Sequence, residues 1–96
     1  MEFLIRRTNG DWFSLHKQHF DTVLKPESIR AETCTGWGDH RIRIHNGEIS
    51  FSFEEAGLHI FFEKFSGIKV EARRIVEEIL KKMTEFSGET GEIIDL

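Results

Sequence analysis

Residues 40–63 limit most tightly what this chain can fold into. Over HRIRIHNGEISFSFEEAGLHIFFE, apolar residues alternate with polar ones, interrupted at the turns Asn46-Gly47 and Glu55-Ala56-Gly57 and by the additional apolar residue Phe61. A period of two sends successive side chains to opposite faces of a strand. Asn-Gly signals a tight hairpin, because a type I′ turn needs positive φ at both central residues. With Asn46-Gly47 in those places, His45 pairs with Glu48, Ile44 with Ile49 and Ile42 with Phe51. The next turn pairs Phe53 with Leu58, Phe51 with Ile60 and Ile49 with Phe62. Three strands then share one apolar face: Ile42, Ile44, Ile49, Phe51, Phe53, Leu58, Ile60 and Phe62.

After residue 68 the period changes. Ala72, Ile75, Val76, Ile79, Leu80, Met83 and Phe86 recur three and four residues apart, the stripe of an amphipathic helix. Gly88 is placed to cap its C-terminus. Glu77 with Lys81, and Glu78 with Lys82, stand at i, i+4 in the favourable order. A helix of ~17 residues is about 25 Å long, enough to cover several strands ~4.8 Å apart. The expected fold is therefore α+β: an antiparallel sheet of about five or six strands in a hairpin meander. A single C-terminal helix packs on one face, and the tail EIIDL adds a short last strand.

The N-terminal half is less regular. MEFLIRR reads as a strand, and Asn9-Gly10 as a turn into a return strand through Trp12, Phe13 and Leu15. Phe20, Val23 and Leu24 suit one helical turn, with Asp21 as N-cap and Pro26 as the stop. Ser28 to Thr35 reads as a strand, and Gly36-Trp37-Gly38-Asp39 as a loop. With no repeat, linker or low-complexity segment, residues 1–96 are expected to form one domain.

Composition narrows the function classes. The single Cys34 allows no internal disulfide and fits a reducing, cytoplasmic compartment. MEFLIRRTNG lacks the apolar stretch of a signal peptide, and no run approaches the ~20 apolar residues of a membrane helix. Net charge is −4; residues 1–47 carry seven Lys/Arg against six Asp/Glu, and residues 48–96 six against eleven. That acidity disfavours nucleic acid as the partner and suits docking onto a basic surface. His16 and His19 have H-x-x-H spacing, but without the Cys pair or H-E-x-x-H of a zinc site they read as surface or capping residues. No metal or cofactor is expected.

The expected pairing also sets out the polar face in three rows: Arg41, Ser52 and His59; Arg43, Ser50 and Phe61; His45, Glu48 and Glu63. Ser52 beside His59 suggests a nucleophile and base, but no carboxylate stands out to orient the imidazole and no glycine-rich turn offers an oxyanion hole. The chain is accordingly read as non-enzymatic. Arg41, Arg43, Glu48, Glu54, Glu55, His59, Phe61 and Glu63 are instead the candidate protein-binding residues, since arginine and aromatic side chains anchor interfaces. A homo-oligomer formed through a sheet edge, or a small-molecule or nucleic-acid binder using the same face, is the alternative.

The hairpin RIRIHNGEISFSF, the helix VEARRIVEEILKKMTEF and the acidic tail GETGEIIDL together resemble, at the level of class, the small acidic α+β immunity proteins of bacterial toxin systems. That resemblance implies no catalysis and one tight partner, a toxin or nuclease domain with a basic face. The complementary charge would come from Glu48, Glu54, Glu55 and Glu63, and from Glu89, Glu92 and Asp95 in the tail.

Overall fold

The computed structural model describes residues 1–9 and 15–96. Six strands form one antiparallel sheet: β1 Glu2–Arg7, β2 Glu32–Thr33, β3 His40–Ile44, β4 Gly47–Glu54, β5 Gly57–Glu63 and β6 Gly91–Asp95. Helix α1, Phe20–Val23, follows a 3-10 turn at Lys17–His19, and helix α2 runs from Lys69 to Ser87. The strand order is β2-β3-β4-β5-β1-β6.

The expected apolar face is the core. Ile42, Ile44, Ile49, Phe51, Leu58, Ile60 and Phe62 are buried against Ala72, Ile75, Val76, Ile79 and Met83 of α2. Phe20, Val23 and Leu24 close one side of this core. Phe53 is half-buried and stacks on Phe20, with ring centroids 5.3 Å apart. Gly88 ends α2 in the left-handed region, its N–H bonding the Thr84 carbonyl at 2.8 Å. Only the end of the helical stripe departs from expectation: Phe86 is exposed and lies against the His19 ring.

Several local expectations fail for physical reasons. Strand β1 pairs with β5 on one edge and β6 on the other. Both its edges are thus paired over Phe3–Ile5. Trp12 and Phe13 lie outside the described residues, and Leu15 is not in a strand. β5 and β6 are both antiparallel to β1, hence parallel to each other, so α2 is a crossover between parallel strands. Only β2 to β5 form a meander. Asp21 lies inside α1 rather than capping it; its Oδ1 accepts the Thr33 hydroxyl at 2.7 Å. The strand expected over 28–35 shrinks to two residues.

The β4–β5 register is as expected, but β3 is displaced by two residues. Ile42 faces Ile49 and Ile44 faces Gly47, so His45-Asn46 are the central turn residues. Neither has positive φ. Gly47 is needed for closeness instead: a Cβ there would meet Phe65 Cα at 2.9 Å and the Glu63 carbonyl oxygen at 3.1 Å. A shift of two preserves which face each side chain takes, so the core survives the change while the polar rows are redrawn.

The helix surface is also less solvated than its charges suggest. Glu78 accepts the Ser28 N–H at 2.9 Å and the Ser28 hydroxyl. Lys82 Nζ donates to the Lys25 carbonyl at 2.8 Å. Both side chains thus pin segment 25–28 to α2 rather than pairing along the helix.

Candidate functional site on the open sheet face

The face turned away from α2 carries the candidate residues. Its observed rows are Arg41–Ser50–Phe61–Glu2, Arg43–Glu48–Glu63 and Ser52–His59–Leu4. The displaced β3 puts Arg41 diagonally across from both Glu48 and Glu63. Its Nε donates to Glu48 Oε1 at 2.7 Å, and its Nη2 donates to Glu63. Arg43 joins more loosely, its Nε 3.8 Å from Glu48 Oε2.

Segment 36–39 folds over this cluster. Trp37 Nε1–H donates to Glu63, and the Trp37 ring lies 5.8 Å from Phe61. The Asp39 N–H bonds the Phe51 carbonyl at 2.8 Å, and its carboxylate takes the Phe53 N–H at 2.7 Å. Gly38, at φ 100°, permits the approach; a Cβ there would stand 2.9 Å from the Phe51 oxygen. Gly36 is held as closely, since its Cβ would overlap the Arg41 stem. Arg41 is therefore only 7% exposed, whereas Trp37 is 52% exposed.

Charge in the cluster is balanced locally. The hydrogen bond from Arg41 holds the Glu48 carboxyl below the usual carboxylate range. Bonds from Arg41 and then Trp37 do the same for Glu63. The bond to Glu63 in turn raises the Arg41 guanidinium further. Arg41 Nη1 and the buried Ser50 hydroxyl, neighbours in register, have no hydrogen-bond partner among the described residues.

His59 stands apart from this cluster. Its Nε2 is 3.8 Å from Glu2 Oε1 and its Nδ1 is 3.8 Å from Glu54 Oε1. The sequence points to no carboxylate for this imidazole; the structure supplies two, one of them from β1. A general base needs one ring nitrogen toward the hydroxyl and the other toward an orienting group. Here a carboxylate faces each nitrogen, although Ser52 is directly opposite His59 in register. Glu55 sits in the β4–β5 turn, exposed and away from Arg41.

Of the eight candidate residues, Arg41, Arg43, Glu48, Phe61 and Glu63 thus converge, His59 and Glu54 form a second group, and Glu55 lies outside both. Trp37 and Glu2 were not in the expected set. Cys34 is half-buried, with Sγ 3.9 Å from Glu48 Oε1. No group of three or more His, Cys, Asp or Glu side chains among the described residues is arranged to hold a metal ion. No described helix is long and apolar enough to cross a membrane.

A separate titrating group lies between the sheet and α1. The His40 side chain is 7% exposed, packed against Phe20 and Phe51, with Nε2 3.8 Å from Asp21 Oδ1. Burial lowers its pKa from the usual 6.5, against the opposing pull of Asp21. The unfolded chain therefore binds this proton first. Its contribution is complete above about 6.5 and is lost as the pH falls through the lower folded value. Urea-unfolding midpoints of the native protein should decline as the pH drops below that point, and those of His40→Phe should decline less. Equal slopes would mean that His40 is not the group responsible.

No protein-family model, curated protein or solved structure matches this chain.

Proposed function

We propose that this protein is a non-enzymatic binding module that docks the open face of its sheet onto a basic protein surface. The observation that carries this reading is Trp37: half exposed, yet fixed by its bond to Glu63 and its contact with Phe61. A large aromatic held in place loses little entropy on binding, which is what interface anchors require. Glu2 shares the row of Phe61, Glu54 and Glu55 stand at the far end of the β4–β5 hairpin, and on a chain of net charge −4 these carboxylates would steer a cationic partner. An inhibitor or immunity protein that covers a toxin or nuclease domain is the role we favour, and a cytoplasmic setting goes with it.

The test is affinity capture with the tagged full chain from lysate of its source organism, eluted with rising salt and read by mass spectrometry. Trp37→Ala is run in parallel. One stoichiometric partner, held at low salt by the native chain and absent from the Trp37→Ala eluate, supports the reading. Equal recovery by both proteins, or no partner for either, overturns it.

A further inference from the structure

The two edges of the sheet differ. β2 is only two residues long, too short to template another strand, whereas β6 is five residues long and pairs only with β1 among the described residues. The outward groups of β6 follow from its ladder. Leu96 N–H bonds the Glu2 carbonyl at 3.1 Å, and Thr8 N–H bonds the Thr90 carbonyl at 3.0 Å. Bonded and non-bonded pairs alternate in an antiparallel ladder. Glu92 and Ile94 therefore turn their backbone groups toward β1, while Gly91, Ile93 and Asp95 turn theirs to the free edge.

Natural edges are commonly guarded by uncompensated charge. Here the edge charges are neutralised within the chain. Glu92 is bonded by Arg6 at 3.1 Å, and Asp95 pairs with Arg73 at 2.8 Å and Lys69 at 3.2 Å. Beside them lie the half-buried Ile93 and Ile94 and the exposed Leu96.

We infer that β6 pairs with β6 of a second copy of this chain, about a two-fold axis at Ile93. This goes beyond the docking proposed above. In that register Ile93 faces Ile93 of the partner subunit, Gly91 faces Asp95 of the partner subunit, and Asp95 faces Gly91 of the partner subunit. Every outward N–H and C=O of the strand then meets its complement, because the outward residues are spaced symmetrically about Ile93. The match is self-complementary, as an isologous interface must be. The axis runs perpendicular to the sheet, so the two open faces lie side by side and Trp37 is presented twice to one partner.

The experiment is sedimentation equilibrium of the full chain over a wide concentration range, with amide hydrogen exchange on the same samples. A species of twice 11.2 kDa should grow with concentration, and the Ile93 and Asp95 amides should become protected as it does. Ile93→Pro removes an outward N–H without touching the β1 ladder, and should weaken association roughly tenfold or more. A monomer at every concentration overturns the inference. So does a dimer in which those two amides stay unprotected, or one that Ile93→Pro leaves intact. Should Ile93→Pro fail to fold, exchange in the native chain decides the matter alone. Protection of these amides only on adding an extended peptide, with the chain itself monomeric, would assign the edge to a foreign strand and overturn the self-pairing.

Discussion

Arg41→Met should lower the melting temperature at neutral pH by roughly 10 °C. An exposed ion pair would not have such an effect, since surface salt bridges contribute little. Arg41 differs because it is buried under segment 36–39 and bonded to two carboxylates at once. Glu48 and Glu63 are themselves register partners, so removing the guanidinium leaves two like charges directly opposed. The pH dependence should change with it. Both carboxyls are held below their usual 4.5 in the native protein. They therefore stabilise the fold above that value and cease to as the pH falls through the lower folded values. In Arg41→Met the bias reverses, because protonation relieves the repulsion. Thermal melts followed from neutral pH down through the carboxylate range should converge for the two proteins. Adding Glu48→Gln and Glu63→Gln to Arg41→Met should recover most of the loss at neutral pH, because a fully replaced ion cluster leaves no uncompensated charge. Melting curves that stay parallel across the range would mean that Arg41 acts through packing alone.

What the sequence made legible follows from which signals are local. The alternation over residues 40–63 and the stripe of α2 were readable, because a strand or helix face is decided by neighbours a few residues away. The two-residue displacement of β3 was not. Asn46-Gly47 satisfies the turn rule, but the glycine is required by the backbone at residues 63–65, far along the chain. That displacement moves Arg41 from a row with Ser52 and His59 to the side of Glu48 and Glu63. The polar face was accordingly legible as a face, but not its arrangement: only Arg41, Arg43, Glu48, Phe61 and Glu63 of the candidate residues come together, joined by Trp37 and Glu2. Trp37 was recognisable as a loop residue, but nothing in Gly36-Trp37-Gly38-Asp39 shows that the loop folds back onto β4. The place of β1 was equally hidden. Its partners are residues 58–61 and 91–95, and MEFLIRR carries only the signal of being a strand.

Gly57→Ala tests that hidden placement, and should destabilise the protein by about 3 kcal/mol or more. Gly57 opens β5 at φ 139°, a region that side chains rarely adopt. Its hypothetical Cβ would stand 2.4 Å from the Ile5 carbonyl oxygen and 3.4 Å from Arg6 Cα. These are backbone atoms of a strand held on both edges, so no rotamer change relieves the overlap. β1 must move away from β5, or the β4–β5 turn must open. Either movement disturbs the burial of Phe3 and Ile5, both fully buried in the core. An alanine at a turn merely favouring glycine would cost about 1–2 kcal/mol. The size of the change therefore separates a glycine chosen for its turn from one chosen because β1 lies against it. Urea denaturation of Gly57→Ala gives the number, and amide exchange locates it. Loss of protection should concentrate at the β1–β5 ladder, from Phe3 to Ile5 and Leu58 to Ile60, while β3 and the far side of β4 stay protected. A cost of only about 1–2 kcal/mol with the β1 amides unchanged would mean that β1 does not lie against Gly57 as described.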